Sequence, residues 1–176
     1  GAHAPNVMME DKCSCPNNCG LCTNHLSHSG LANIIVTNRC DLTCWYCFFY
    51  VKKGLEGAYM YEPSQDQVRA MMKTLRAERP IPGNSMQITG GEPMLREDIT
   101  DLIKIMKEEH VDHIQMNTNG IRHALDPEAG RDVRMAGCNN LYLSFDGVTA
   151  RTNPKNHWEI PYALDTCRKT GTTVVF

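Results

Sequence analysis

The chain has 176 residues, enough for one domain of ordinary size and too few for two full ones. Lys and Arg number 18 against 20 Asp and Glu, a formal net charge of −2, so there is no net positive field to hold a phosphate backbone, which argues against a nucleic-acid binder. Hydrophobic residues make up 41%, and no apolar run approaches the ~18 residues of a membrane span, which predicts a soluble globular chain that touches a membrane at most peripherally.

Gly1-Ala2-His3-Ala4 reads as a cloning remnant, and residues 5–30 form a cysteine-rich entry segment. No basic-plus-apolar signal opens the sequence, so a cytoplasmic location is expected. Of nine cysteines, seven (Cys13, Cys15, Cys19, Cys22, Cys40, Cys44 and Cys47) fall in one short stretch, and the total is odd. That pattern argues for metal chemistry over a disulfide framework.

From Leu31 onward, short β-rich runs alternate with amphipathic helical stretches, the pattern of βα units and a parallel sheet. Leu31–Thr37 reads as a buried first strand, followed by a cysteine loop. Ser64 and Gln67 make a capping box for a helix to Leu75 whose apolar face is Val68, Met71, Met72 and Leu75. Met86–Thr89 gives a second strand running into Gly90-Gly91-Glu92-Pro93, and Ile99, Leu102, Ile103 and Met106 mark the next helix. His113–Met116 is a third strand ending at Asn117-Thr118-Asn119-Gly120, and Asp126, Pro127 and Gly137 bracket a third helix. Leu141–Phe145 is a fourth strand leading to Asp146-Gly147, residues 158–170 a fourth helix stopped by Gly171, and Thr172–Phe176 the start of a fifth strand. The repeat of about 35 residues per unit is normal for βαβ. The sheet is expected to be incomplete, with this chain the front of a longer protein. The expected organisation is therefore a remnant at 1–4, a cysteine-rich segment at 5–30 and one α/β domain at 31–176.

Reactive groups in parallel α/β sheets lie at the C-terminal ends of the strands. Four motifs fall there: 38–47, 90–93, 117–120 and 144–147. Turn chemistry alone accounts for Gly or Asn in any one of them. Cys40, Cys44 and Cys47, at steps of four and three, suit three irons of a [4Fe–4S] cube with the fourth iron left open to a ligand. The aromatics Trp45, Tyr46, Phe48, Phe49 and Tyr50 would wall off such a cluster; the competing reading is a zinc knuckle with aromatic packing. Cys15, Cys19 and Cys22 repeat the same steps and read as an auxiliary cluster with Cys13, or a residue outside the chain, as fourth ligand. The alternative there is zinc held by Cys19 and Cys22 with Cys13 or Cys15 and His25 or His28. Cys138 and Cys167 read as buried thiols.

CxxxCxxC after the first strand with Gly90-Gly91-Glu92-Pro93 after the second resembles the radical S-adenosylmethionine (SAM) superfamily over residues 31–176. The resemblance implies a partial (β/α)6 barrel, here truncated in its fifth strand, and a [4Fe–4S] cluster on Cys40, Cys44 and Cys47. It implies SAM on the open iron, and reductive cleavage of SAM to a radical that takes hydrogen from an unactivated carbon. It places Gly90 and Gly91 at the methionine moiety, Glu92 beside its ammonium with Pro93 a further cofactor-binding candidate, the Tyr46 backbone at the adenine, Ser144 and Asp146 at the ribose, and Thr118 and Asn119 at the same mouth. An electron donor such as ferredoxin or flavodoxin is implied with it. The strings Asn24-His-Leu-Ser-His28, Cys44–Tyr50, Asn117–Ile121, Leu141–Gly147 and Thr152–His157 further resemble the tetraether lipid synthase group, which implies carbon–carbon coupling of isoprenoid lipid chains. The same group is similar to sequences proposed to methylate a pterin. The rivals from other classes are a non-catalytic iron–sulfur carrier and a zinc-stapled interaction module.

Overall fold

A computed structural model of the chain describes residues 7–8, 25–26, 29–47, 61–78, 82–145, 147, 149 and 158–176. Cys13, Cys15, Cys19, Cys22, His28, the 48–50 aromatics and Asp146 lie outside the described residues. In the entry segment two short strands, β1 (Val7–Met8) and β2 (His25–Leu26), pair antiparallel, an element its composition does not announce.

The main body alternates β3 (Ala32–Thr37), α1 (Gln65–Arg76), β4 (Ser85–Gly90), α2 (Ile99–Glu108) and β5 (His113–Thr118). It continues with α3 (Ile121–Leu125), α4 (Pro127–Ala136), β6 (Asn140–Leu143), α5 (Ile160–Thr170) and β7 (Thr173–Val175). All five strands pair in parallel in the order β3-β4-β5-β6-β7. Monotonic order with right-handed crossovers puts every helix on the same face. α1 packs on α2, α2 on α4 and α4 on α5 along that face.

Register makes the sheet two-sided. Ile34, Ile88, Met116, Leu141 and Val174 form one row across the five strands. That row packs on Val68, Met72, Leu102, Met106, Val133 and Cys167 of the helices. The adjacent row is Asn33, Gln87, Gln115, Asn140 and Thr173, wholly polar. Successive strand residues point to opposite faces, so this row looks away from the helices. Along β3 the burial follows this until the bulge near its end: Ile34 and Val36 are buried while Ile35 is 38% exposed, and Thr37 beyond the bulge is buried again.

The helices follow their caps. Ser64 accepts from Gln67 N while the Gln67 side chain accepts from Ser64 N, the expected capping box. Asp126 accepts from Ala129 N at the start of α4, with Pro127 at its first position. On α1 the buried stripe is Val68, Met72 and Leu75; Met71, assigned above to that face, is 39% exposed because it stands one step past the stripe's edge. Residues 160–170 form α5, starting two residues later than the periodicity predicts, and Gly171 stops it at φ +68°. No described helix is long and apolar enough to cross a membrane.

Arg96 clamps the C-terminal side of the sheet. Only 6% exposed, it donates through Nη1 to the carbonyls of Val36 and Pro63, both at 2.9 Å, and through Nε and Nη2 to the Asp98 carboxylate, both at 2.8 Å. Those bonds, led by the Arg96 side chain, hold the Asp98 carboxyl below its usual range. One side chain thus fixes the end of β3, the approach to α1 and the entry to α2. Arg96→Met is expected to cost about 3 kcal/mol of unfolding free energy, read by urea titration of the metal-free protein. An unchanged midpoint would mean that water replaces the clamp at no cost.

Candidate functional site

The strand ends converge on Glu92. Its backbone N donates to Arg39 O at 2.7 Å, and Gly91 N donates to Thr37 O at 2.9 Å, which carries the β3–β4 ladder two residues beyond the strands. That approach explains both glycines. A Cβ on Gly90 would lie 2.2 Å from Thr37 O and one on Gly91 2.1 Å from Arg39 O, and Gly90 has φ +145°. The bare Cα atoms are thus filled by the chain's own backbone where it turns toward Cys40, and the nearest partner of both glycines is the cysteine loop's approach segment.

The Glu92 side chain, 2% exposed, points across to β5. Oε1 accepts from Met94 N at 3.0 Å, which caps the short turn Pro93–Leu95, and from Thr118 Oγ1 at 2.7 Å; Oε2 accepts from Asn119 N at 2.8 Å. Burial pushes the Glu92 carboxyl up to about 7 despite these three donors, and the nearby Asp41 charge adds to the rise. The group placed above beside an ammonium is therefore already committed to holding two strand ends together. Pro93 is buried within the same turn.

Thr118 Oγ1 also accepts from Gly120 N at 3.1 Å. Asn119 is held from both sides: Oδ1 accepts from Ile121 N, the first residue of α3, at 3.0 Å, and Nδ2 donates to Asp41 Oδ1 at 2.6 Å. Asp41 lies between the first two loop cysteines, and the cysteine spacing gave no signal for it. Ser144 Oγ donates to Asn117 Oδ1 at 2.8 Å and Ser144 N to Thr118 O at 2.9 Å, so Ser144 extends the β5–β6 edge toward the same mouth. On the β3 side Arg39 bonds Glu62 at 2.6 Å and Leu95 O at 3.1 Å.

The cysteine loop stands past this network. Cys44 is buried, Cys47 half-buried and Cys40 at the surface; all three are free thiols, and Cys47 N donates to Cys44 O at 3.0 Å in a tight turn. Leu42 N donates to Cys40 Sγ at 3.5 Å. Although Cys40 as a residue is exposed, partial desolvation of its sulfur pushes the thiol up to about 11, with the Leu42 N–H opposing and the Asp41, Glu92 and Cys44 charges adding, so metal capture there must release a proton. Among the described residues no three His, Cys, Asp or Glu side chains converge on one point as a single ion requires. Thiolates that each take a different iron of a cube need no such convergence. The soft, all-thiol donor set on one loop fits a cluster with an open iron. Of the aromatics expected to wall off such a cluster, the two described ones are exposed: Trp45 is 74% exposed and Tyr46 38%, in edge-to-face contact at 5.2 Å.

The Glu92 carboxyl has a testable signature. A group whose folded value is raised from 4.5 to about 7 contributes stability that is complete below 4.5 and is lost as pH rises through about 7. Glu92→Gln sets an amide N–H2 against one of the three donors and is expected to cost about 1–3 kcal/mol at pH 5. The gap to the wild type should then narrow toward pH 8, as measured by urea unfolding of the metal-free protein. A gap that widens with pH would mean that the ionised form is the one the fold prefers.

Comparison with known proteins agrees with the motifs. The Radical SAM superfamily model matches residues 34–176. The chain is 39% identical over 165 residues, 91% of its length, to the 7,8-dihydro-6-hydroxymethylpterin dimethyltransferase of Methanocaldococcus jannaschii, of which it spans 32%. It is 32% identical over 142 residues, 77% of its length, to the GTP 3′,8-cyclase of Clostridium acetobutylicum, of which it spans 42%. Among solved structures, BtrN in complex with AdoMet and 2-DOIA aligns over 64% of this chain and 44% of its own at 18% identity, with a TM-score of 0.48. With its parallel sheet, its CxxxCxxC loop after β3 and its glycine pair after β4, the chain belongs to the radical SAM superfamily.

Proposed function

We propose that the protein modifies a carbon of a reduced pterin by radical chemistry, with C-methylation as the reaction class. Membership of the superfamily implies a [4Fe–4S] cluster and SAM. In this reading Cys40, Cys44 and Cys47 hold the cluster, and a small carrier such as ferredoxin or flavodoxin supplies the electron. Such a cluster, when reduced, supplies one-electron cleavage of SAM to methionine and a 5′-deoxyadenosyl radical. The chain's own residues do the rest: Glu92, Thr118 and Asn119 fix the loops around the mouth, and Gly90, Gly91, Pro93, the Tyr46 backbone, Ser144 and Asp146 are the candidate SAM contacts.

The observation that carries the pterin reading over lipid coupling is the sheet face turned away from the helices. Its row of Asn33, Gln87, Gln115 and Asn140 offers side-chain amides, with Asn140 Nδ2 donating to Gln115 Oε1 at 2.8 Å. Asn140 Oδ1 is buried and has no hydrogen-bond partner among the described residues. Amides match the alternating donors and acceptors of a pterin ring, whereas a saturated isoprenoid chain would leave them unpaired at a cost of about 1–3 kcal/mol each. The similarity to a protein named for a pterin supports the same choice. Tetraether coupling rests on the motif strings alone. Cys13, Cys15, Cys19 and Cys22 are proposed to hold an auxiliary cluster, which predicts about eight irons per chain in the reconstituted protein against about four in a Cys15→Ala/Cys19→Ala/Cys22→Ala variant.

The test is anaerobic turnover of reduced, iron-loaded protein with SAM and 7,8-dihydro-6-hydroxymethylpterin or with an isoprenoid lipid, read by mass spectrometry. Pterin-dependent 5′-deoxyadenosine and a methylated pterin are expected. Turnover with the lipid alone would replace this reading with the coupling one. Cys44→Ala should abolish 5′-deoxyadenosine formation, and residual formation would overturn the assignment of the cluster loop. The electron paramagnetic resonance signal of the reduced cluster should change when SAM is added, and a signal indifferent to SAM would indicate a closed electron carrier.

A further inference from the structure

We propose that Asn119 and Asp41 form a latch that fixes the cysteine loop to the C-terminal end of β5 and so sets where the cluster thiols stand. Both are positioning residues, and the inference rests on Cys40, Cys44 and Cys47 being the cluster ligands. Asn119 is immobilised before it meets the loop: it is 5% exposed, its backbone N donates to Glu92 at 2.8 Å, and its Oδ1 accepts from Ile121 N at 3.0 Å. With Oδ1 committed to α3, the amide can turn only Nδ2 toward the loop. There it meets Asp41 Oδ1 at 2.6 Å, across 78 residues of sequence.

An exposed carboxylate ordinarily gains little from a surface partner, because ordering both side chains consumes the gain. Here the donor's ordering is already complete, and the bond is charge-assisted. Asp41 directly follows Cys40, its Oδ1 standing 4.0 Å from Cys40 Sγ, and the next residue, Leu42, gives its N–H to that sulfur. Holding the Asp41 carboxylate therefore holds the backbone turn that aims Cys40. A neutral donor does this without placing a positive charge beside the thiolates.

The bond can be broken and rebuilt. Asn119→Asp keeps an acceptor for Ile121 N but sets a carboxylate against Asp41; Asp41→Asn/Asn119→Asp restores a bond with donor and acceptor exchanged. The readouts on anaerobically reconstituted protein are the rate of iron release to a chelator, the cluster's paramagnetic resonance spectrum, and the melting midpoint of the metal-free form. Asn119→Asp is expected to release iron about tenfold faster and to shift the spectrum, with the double variant returning toward the wild type. Asp41→Ala, at an exposed position, gives the same comparison where Asn119→Asp fails to fold, and is expected to release iron faster at an unchanged metal-free midpoint. Iron release at the wild-type rate in these single variants overturns the latch, as does faster release that the double variant does not reverse. Cys44→Ala separates the two levels: if it holds as much iron as the wild type, the ligand assignment falls and the latch falls with it.

Discussion

A carboxylate buried where two parallel strands stop pairing organises this molecule. The β4–β5 ladder ends at Ile88 and Met116, and beyond it the two backbones part. Glu92 fills the gap, taking Met94 N from its own turn and Thr118 Oγ1 and Asn119 N from the other strand. On its opposite side the backbone N–H groups of Gly91 and Glu92 extend the pairing with β3 as far as Arg39. Three strand ends are thereby joined at one residue. An amide would avoid the desolvation penalty that burial imposes on Glu92, but it sets one oxygen and an N–H2 group against three donors. The penalty and the geometry come together.

The second constraint is the difference between the sheet's faces. Buried parallel strands usually read as continuous apolar runs because helices cover both sides. Here monotonic strand order places all helices on one side, and the sequence of β5, His-Ile-Gln-Met-Asn-Thr, alternates accordingly. Ile114 and Met116 are buried while Gln115 and Asn117 remain half-buried. The alternation is the imprint of a sheet covered by helices on one face, and it accounts for the amides that a doubly covered sheet would have excluded as unsatisfied.

Much of this was legible in the amino-acid sequence, because period and punctuation are local. The five strands, the capping box at Ser64, the Asp126-Pro127 start of α4 and the Gly171 stop all depend on residues within a few positions of one another. The bounds of β6 were less so: the apolar run reaches Phe145, but pairing ends at Leu143, where Ser144 instead bonds Asn117. α3 was missed, since five residues after a glycine N-cap of φ +81° carry no period; Asn119, one residue before that cap, accepts from Ile121 N. Asp41 was missed for a related reason. Its partner lies 78 residues away, and inside a cysteine motif a carboxylate looks like filler between ligands. At the glycines after β4 the close approach is that of the Thr37 and Arg39 backbone, a tertiary fact that no spacing encodes.

The placement of polar groups along β5 bears on how such a site can work. Asn119 meets the cysteine loop, Asn117 meets Ser144, and Gln115 belongs to the amide row, at steps of two along one strand. At roughly 3.3 Å per residue, the amide row lies about 13 Å from the latch. The amide row and the cysteine loop are therefore held at separate levels of the sheet, and β5 fixes the one against the other.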